Sequence, residues 1–311
     1  MGKDLYESFP EFAKVIDSSL DWKLGFDLKK VCFEDPDGVI NQTEYTQPCM
    51  TAFAAGVTDI LYAHGIRPSY AAGLSLGEYS ALYAAGVFDA ETTVRLTAFR
   101  GAAMMEAAKG IDCAMTAVLM LGREKLAECC EKASEKGVVQ ICNYNCPGQL
   151  VIGGEKAAVD EAAALAKEAG AKRCLPLKVS GPFHTKLMHP AGNALRDKFK
   201  EITFNEMQFP VLFNCLGREL QAEDIPGIPG IPGITGGAAG MIPQLLEKQV
   251  QSSVYMEDSI RRLRELGVDT VIEIGPGKAL SGFVKKTVGD EIKCYAAETT
   301  EDIEKILEAL G

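Results

Sequence analysis

Ser75 is the residue of this 311-residue chain best placed to act as a nucleophile. It stands at the centre of a GxSxG pattern, Gly73–Gly77, between small β-prone residues and apolar residues with helical spacing. This pattern predicts a strand, a sharp turn and a helix, with both glycines letting the strand and the helix approach without a Cβ clash. The serine hydroxyl would be exposed, and the Leu76 amide would be free to stabilise an oxyanion. The alternative is a glycine-rich turn in which the serine only caps the helix.

A serine nucleophile needs a base, and the chain contains three histidines. His64 closes a predicted helix, where a cap is the better interpretation, and His189 precedes a proline and has the position of a helix start. His184 lies in the loop Ser180–His184, which is shaped by glycine and proline and can face a cleft. By elimination His184 is the candidate base, and the alternative is a hydrogen-bonded structural histidine.

Arg100 is the third unusual residue, because it lies within a helical stretch dominated by small apolar residues, Ala98–Met105. A buried guanidinium needs an anion, since an unpaired charge out of water is costly. The functional interpretation is a fork that binds a substrate carboxylate through two parallel hydrogen bonds. The alternatives are an internal salt bridge and a surface arginine whose head group reaches solvent.

Composition sets limits on the class of protein. The net charge of −11 argues against a nucleic-acid partner, and no apolar run approaches the ~20 residues of a membrane span. No signal peptide opens the chain, and the ten cysteines are scattered, which favours reduced thiols in a cytoplasmic protein. Gly275–Lys278 lacks the spacing of a phosphate-binding loop, and we expect neither a metal site nor a cofactor.

These residues must be positioned by an α/β fold in which helices and strands alternate. Between residues 112 and 179 the pattern predicts βαββαβ, the order of a ferredoxin-like unit, inserted into a larger subdomain formed by residues 1–111 and 180–311. The repeat IPGIPGIPGITGG, Ile225–Gly237, cannot form a helix or a strand interior. It predicts a mobile and dispensable surface loop.

Six motifs, spread nearly end to end and in the same order, together resemble the malonyl-CoA:acyl carrier protein transacylase family. They are GLSLGEYSALYAAG, Arg100-Gly101, NYNCPGQLVIGG, VSGPFHTKLM, Gln249 with VQSSVYMEDSI, and VIEIGPGKALSGF. The resemblance implies an α/β-hydrolase-like large subdomain with a parallel sheet, beside the ferredoxin-like small one. It also implies ping-pong transfer of a malonyl group from malonyl-CoA, through a malonyl-serine, to the phosphopantetheine thiol of acyl carrier protein. That reaction would supply fatty acid biosynthesis, and we expect a monomer.

The resemblance also implies a role for each matching residue. The nucleophile is Ser75, the base is His184, the carboxylate clamp is Arg100, the histidine-orienting backbone carbonyl belongs to Gln249, one oxyanion amide belongs to Leu76, and pocket support comes from Asn145 and Asn214. Carrier proteins are usually acidic, so docking onto this acidic chain needs a local basic patch. The candidates are Lys186, Lys285 and Lys286, and the alternative for each is an ordinary solvated lysine.

The chain departs from the family pattern in two places. Leu74 stands where the family usually has a histidine before the nucleophile. Relatives also begin with an apolar strand and a GQGxQ turn, which carries the other oxyanion amide, ahead of the equivalent of Met1–Tyr6. We expect Met1 to be an internal start in a longer natural protein, rather than the start of a protein with impaired activity. Restoring the upstream segment should then raise stability and transfer rate together.

Other functional classes stay open on the sequence alone. A serine esterase or thioesterase would share the Ser75–His184 pair but would not want a cation in the acyl pocket. A discrete trans-acting acyltransferase of a polyketide synthase would perform the same chemistry on a different carrier. A non-catalytic partner protein is the remaining alternative.

Overall fold

Helices and strands alternate along the computed structural model, which describes residues 1–224 and 237–311. Its helices are α1 Lys3–Ser8, α2 Pro10–Ser18, α3 Leu28–Phe33, α4 Thr43–Ala63, α5 Gly77–Ala84, α6 Ala90–Ala108, α7 Arg123–Ala133, α8 Lys156–Glu168, α9 His189–Phe199, α10 Ala238–Val250, α11 Met256–Glu265, α12 Ala279–Val288 and α13 Thr300–Leu310. Its strands are β1 Ala71–Ala72, β2 Cys113–Leu119, β3 Val139–Cys146, β4 Gln149–Glu155, β5 Arg173–Pro176, β6 Val211–Phe213, β7 Arg218–Glu219, β8 Val254–Tyr255, β9 Thr270–Ile274 and β10 Lys293–Ala297.

The largest sheet has the strand order β5-β2-β4-β3-β8. Its first four strands, with α7 and α8 packed on one face, have the order and antiparallel pairing of a ferredoxin-like unit, as the sequence predicts. The fifth strand, β8, pairs in parallel with β3 and comes from outside residues 112–179. The sheet therefore links the inserted unit to the rest of the chain, and the proposed boundaries at residues 112 and 179 stay a prediction.

Two smaller sheets belong to the rest of the chain. One has the order β1-β6-β7, with β1 and β6 parallel, and the other pairs β9 and β10 in parallel. Beside them α4 is buried along most of its length and packs against α6, because its many small residues allow close approach. Ser75 lies three residues after the end of β1, and Arg100 lies on α6.

The structure differs from the sequence expectations in one strand and leaves one segment outside its range. The sequence pattern predicts strands at 138–143 and 149–153 joined by residues 144–148, but in the structure β3 continues to Cys146 and leaves a turn at Pro147 and Gly148. Two register shifts in the pairing of β3 with β4 absorb the extra residues, and the Tyr144 ring stacks on Tyr255 of β8. Of the predicted Pro-Gly loop, Ile225–Gly237, residues 225–236 lie outside the described residues.

Candidate active site

The backbone at Ser75 is held in a disfavoured conformation between β1 and α5. Its φ of 54° lies in the left-handed region, which costs a residue with a side chain free energy unless neighbours fix it. Asn214, just after β6, fixes it from both sides. Its Oδ1 accepts a hydrogen bond from the Ser75 amide at 2.6 Å, and its Nδ2 donates to the Gly73 carbonyl at 2.6 Å. The expected supporting role of Asn214 thus has a specific geometry: it clamps the nucleophile turn.

The two glycines of the turn do not share the role that the sequence suggests. A Cβ on Gly73 would lie 2.1 Å from the backbone carbon of Gly77, so position 73 cannot carry a side chain without moving the chain. A Cβ on Gly77 would meet nothing within 4 Å, so the expectation that both glycines are needed for close approach is wrong for Gly77. Position 77 contributes to the close approach only through its backbone, against which Gly73 packs.

We therefore expect Gly73→Ala to destabilise the protein by about 3 kcal/mol or more, because the methyl group collides with backbone rather than with a movable side chain. Gly77→Ala is the matched control, and its free energy of unfolding should stay within about 0.5 kcal/mol of the parent. Denaturant unfolding of both variants measures the difference. Equal stability of the two would contradict the close approach at Gly73.

His184 faces the serine hydroxyl. Its Nε2 lies 2.7 Å from Ser75 Oγ, and its Nδ1 lies 2.9 Å from the backbone carbonyl of Gln249. Because a carbonyl oxygen only accepts, Nδ1 must carry the proton, which leaves Nε2 free to accept the proton of Ser75. The other histidines are elsewhere: His64 Nδ1 lies 2.8 Å from Ile60 O at the end of α4, and His189 begins α9.

The environment of His184 keeps the imidazole neutral. Burial, followed by the positive charge of Arg100, lowers the pKa of His184 to about 4, against the opposing effect of backbone groups at Gln249 and Ser252. A neutral imidazole is the form that can act as a base. His184 therefore stays in this neutral form at any pH well above 4.

This pKa predicts the acid side of the pH–rate profile. Protonation of His184 abolishes the base, so the rate of the acylation step should fall only as pH drops through about 4, well below the ordinary histidine value. Rapid-mixing measurements of acylation across the acid range, within the folded range established by circular dichroism, would show it. An inflection in the rate near the ordinary histidine pKa would contradict the assignment.

Folding stability should already decline below pH 6.5, because the unfolded chain binds a proton there that the folded chain does not.

Arg100 reaches the same hydroxyl from α6. The residue is 1% exposed, its Nη2 donates to Ser75 Oγ at 3.0 Å and to Gln249 Oε1 at 3.1 Å, and its Nη1 donates to Gln47 Oε1 at 2.8 Å. Among the described residues no carboxylate lies within salt-bridge distance of it. The two structural alternatives, an internal salt bridge and a surface arginine, are therefore not what the structure shows. The guanidinium has neutral partners and can accept an anion.

Gln249 connects all three of these residues. Its backbone carbonyl accepts from His184, its Oε1 accepts from Arg100, and its Nε2 donates to the Ser75 carbonyl at 2.7 Å. The sequence predicted only the backbone carbonyl. The Gln249 side chain and Gln47 were missed because an amide on a helix gives no local signal, and their partners lie 149 and 53 residues away.

The Leu76 amide, which is expected to stabilise an oxyanion, lies where the chain enters α5. The next three amides along the chain donate to the carbonyls of Leu74, Ser75 and Leu76, which begins α5. In the part of the chain that the structure describes, no acceptor is paired with the Leu76 amide itself. It follows the nucleophile directly and is available to a developing negative charge.

Four of the expected residues are not brought into this cluster by any described contact. Asn145 is buried on β3, and its Oδ1 has no hydrogen-bond partner among the described residues. Lys186 is exposed two residues beyond His184, Lys285 Nζ lies 3.7 Å from Asp290, and Lys286 Nζ donates to Gln149 Oε1 at 3.3 Å. A role in carrier-protein docking for the three lysines stays a prediction.

The residues that the structure describes also bear on metal binding, disulfide formation and membrane insertion. There, no group of three histidine, cysteine, aspartate or glutamate side chains is arranged to hold a metal ion. All ten cysteines are free thiols, and seven of them are buried. In the same residues no helix is both long and apolar enough to cross a bilayer.

A family model, a sequence relative and two solved structures, all of acyl transferases, match nearly the whole chain. The acyl transferase domain model matches residues 1–304. A malonyl CoA-acyl carrier protein transacylase of Bacillus subtilis is 39% identical over 311 residues, which is 100% of this chain and 92% of that protein. The crystal structure of MCAT from Streptococcus pneumoniae has 42% identity and a TM-score of 0.90, covering 100% of this chain and 95% of that one. A malonyl-transacylase in complex with its holo type II PKS acyl-carrier protein has 34% identity and a TM-score of 0.88, covering 99% and 94%.

Proposed function

Because this chain belongs to the acyl transferase domain family, we propose that it transfers a malonyl group from malonyl-CoA to the phosphopantetheine thiol of acyl carrier protein. The observation that supports the proposal most directly is the environment of one atom. Ser75 Oγ lies 2.7 Å from the imidazole of His184 and 3.0 Å from the guanidinium of Arg100. A base activates the alcohol, and a cation beside it selects an acyl group that ends in a carboxylate.

The first half-reaction loads the enzyme. His184 Nε2 takes the proton of Ser75, and Oγ attacks the thioester carbonyl of malonyl-CoA. The oxyanion that forms is stabilised by amides that include that of Leu76. When the tetrahedral intermediate collapses, the carbon–sulfur bond breaks and the leaving thiolate takes the proton from His184. Ser75 then carries the malonyl ester.

Arg100 holds the free carboxylate of that ester. In the structure it donates to the amide oxygens of Gln47 and Gln249 and to Ser75 Oγ. These partners are uncharged, so a carboxylate replaces them with stronger, charge-assisted hydrogen bonds. An acetyl group cannot do so, and the guanidinium would then keep a buried charge with neutral partners only.

The second half-reaction repeats these steps in reverse. The carrier thiol gives its proton to His184, its sulfur attacks the malonyl ester, and the Ser75 oxygen recovers the proton as it leaves. No cofactor of the enzyme itself is required. Docking of the carrier at Lys186, Lys285 and Lys286 belongs to the proposal, as do the monomeric state and the cytoplasmic location.

A polyketide carrier is the second candidate for the acceptor. The observation that favours it is the similarity to a malonyl-transacylase solved with its type II PKS acyl-carrier protein. An esterase fits the site less well, because water needs no cation in the acyl pocket. A non-catalytic role fails to explain why His184 and Arg100 converge on Ser75 Oγ.

Labelling tests the proposal. The protein is incubated with malonyl-CoA carrying a radioactive malonyl group, and the labelled peptide is identified by mass spectrometry. We expect the label on Ser75, none on the Ser75→Ala variant, and rapid loss of label to holo acyl carrier protein but slow loss to water. Fatty-acid and polyketide carriers compared in the same chase distinguish the two acceptors. Label that leaves to water as fast as to either carrier would make the protein an esterase.

A further inference from the structure

The backbone at His184 is held in a disfavoured conformation, as it is at Ser75. Its φ is 61°, in the left-handed region, and these are two of the five residues other than glycine with positive φ in the described part of the chain. Such a conformation costs free energy and persists only where neighbouring contacts hold it. The hydrogen bonds to Ser75 and Gln249 orient the imidazole of His184, but they do not hold its backbone.

Gln140, a half-buried residue on β3, brackets this backbone. Its Nε2 donates to the His184 carbonyl at 3.4 Å, and its Oε1 accepts from the Lys186 amide at 3.1 Å. A carbonyl can only accept and a backbone amide can only donate, so the two partners together require a side chain with both functions. Glutamine meets this requirement, whereas a carboxylate or an apolar side chain of similar length does not.

The nucleophile is held by the same kind of bracket. Asn214 accepts from the Ser75 amide and donates to the Gly73 carbonyl. Both catalytic residues therefore have a left-handed backbone bonded to a primary amide that a distant segment contributes. Asn214 lies 139 residues from Ser75, and Gln140 lies 44 residues from His184. The arrangement at Ser75 shows how the fold fixes a reacting residue, and Gln140 repeats it at the base.

The residue before His184 is held by the same inserted unit as His184 itself. Phe183 packs on a buried apolar cluster of that unit, formed by Met115, Ala117, Cys142 and Val151. The cluster lies on the face of the sheet opposite α7 and α8, and Gln140, two positions before Cys142 on β3, belongs to this face. The inserted unit thus holds the backbone of the base, while Gln249 from α10 orients its imidazole.

We propose that Gln140 is the positioning residue of the base: its two hydrogen bonds hold the His184 backbone so that Nε2 stays within reach of Ser75 Oγ. The inference rests on the proposed function, because it needs the proton transfer from Ser75 to His184. Without Gln140 the His184 backbone can relax from the left-handed region, and the imidazole moves with it. A displacement of about 1 Å at a reacting group costs roughly a hundredfold in rate. Arg100 stays in place, so the affinity for the malonyl carboxylate should not change.

Gln140→Met removes both hydrogen bonds at nearly constant side-chain length. Single-turnover acylation by malonyl-CoA should slow roughly tenfold to a hundredfold. Calorimetric titration of the Gln140→Met, Ser75→Ala double variant with malonyl-CoA should give the affinity of Ser75→Ala alone. Gln221→Met is the matched control, because it removes the hydrogen bond of another half-buried glutamine, to Glu219 Oε1, outside the site. Its acylation rate should be that of the parent.

The His184→Ala background separates positioning from structural support. If Gln140 acts through the imidazole, adding Gln140→Met to His184→Ala should lower the residual acylation rate no further. A structural role would lower the rate in both backgrounds. Gln140→Glu is a second and milder variant, which keeps an acceptor for the Lys186 amide and removes the donor to the His184 carbonyl. It should lose rate in the same direction, and again only where His184 is present.

The outcomes distinguish the inference from the proposed function. Acylation at the parent rate in both Gln140 variants, or a loss that persists in the His184→Ala background, would overturn the inference and leave the proposed function intact. A loss of affinity for malonyl-CoA that parallels the loss of rate in both variants would overturn it equally. Absence of malonyl label on Ser75 of the parent protein would instead overturn the proposed function, and the inference with it.

Discussion

Replacing Arg100 by alanine should remove the preference for malonyl-CoA, while transfer of an acetyl group survives or increases. In the proposed complex a malonyl carboxylate binds to a guanidinium that is 1% exposed. Removing one partner of a buried, hydrogen-bonded charge pair costs about 2–5 kcal/mol, because the other charge is left without compensation. The ratio of kcat/KM for malonyl-CoA to that for acetyl-CoA should therefore fall roughly thirty- to several-thousand-fold.

Arg95→Ala is the matched control for this experiment. Arg95 lies on the same helix, but it is exposed and pairs with Glu91 on the surface. Its loss should change neither substrate's kcat/KM. The Arg100 variant has a second readout, because the charge of Arg100 lowers the pKa of His184. The acid limb of acetyl transfer should move to higher pH in Arg100→Ala, and a variant that still prefers malonyl-CoA would show that another group binds the carboxylate.

The residues that could be predicted from sequence are those that are unusual in their local surroundings. Ser75 stands in a glycine pattern, His184 is one of three histidines, and Arg100 interrupts a helix of small residues. Each needs only its neighbours in the chain to attract attention. That the three meet at one atom is a property of the fold, which the structure supplies through the hydrogen bonds at Ser75 Oγ.

The residues that escaped prediction act over long separations. Glu78 lies three residues after Ser75, yet its hydrogen-bond partner, the Asn214 amide, lies 136 residues further along the chain. The same limit applies to the fold. The ferredoxin-like unit could be predicted because its strands are close in sequence, whereas the addition of β8 to β3 joins residues more than a hundred positions apart. Periodicity describes an element but does not say which distant strand it meets.

His184→Ala should cause the larger loss in the chemical step itself. The Ser75 proton has its acceptor at 2.7 Å on Nε2, and Arg100, the other side chain that contacts Oγ, can only donate. A positioned general base contributes roughly 10²–10⁴-fold, so acylation by malonyl-CoA should slow by at least that factor. The affinity for malonyl-CoA should change little, because Arg100 remains in place to hold the carboxylate.

The separation of rate from affinity distinguishes this assignment from a structural role for the histidine. If His184 only supported the fold, its replacement would weaken binding and stability together with the rate. His189→Ala removes an exposed imidazole at the start of α9 and serves as the control, with full acylation expected. Single-turnover acylation measured beside the equilibrium affinity gives both quantities. An acylation rate that survives His184→Ala would mean that another group takes the proton of Ser75, and the hydrogen bond at Nε2 would then have no part in the reaction.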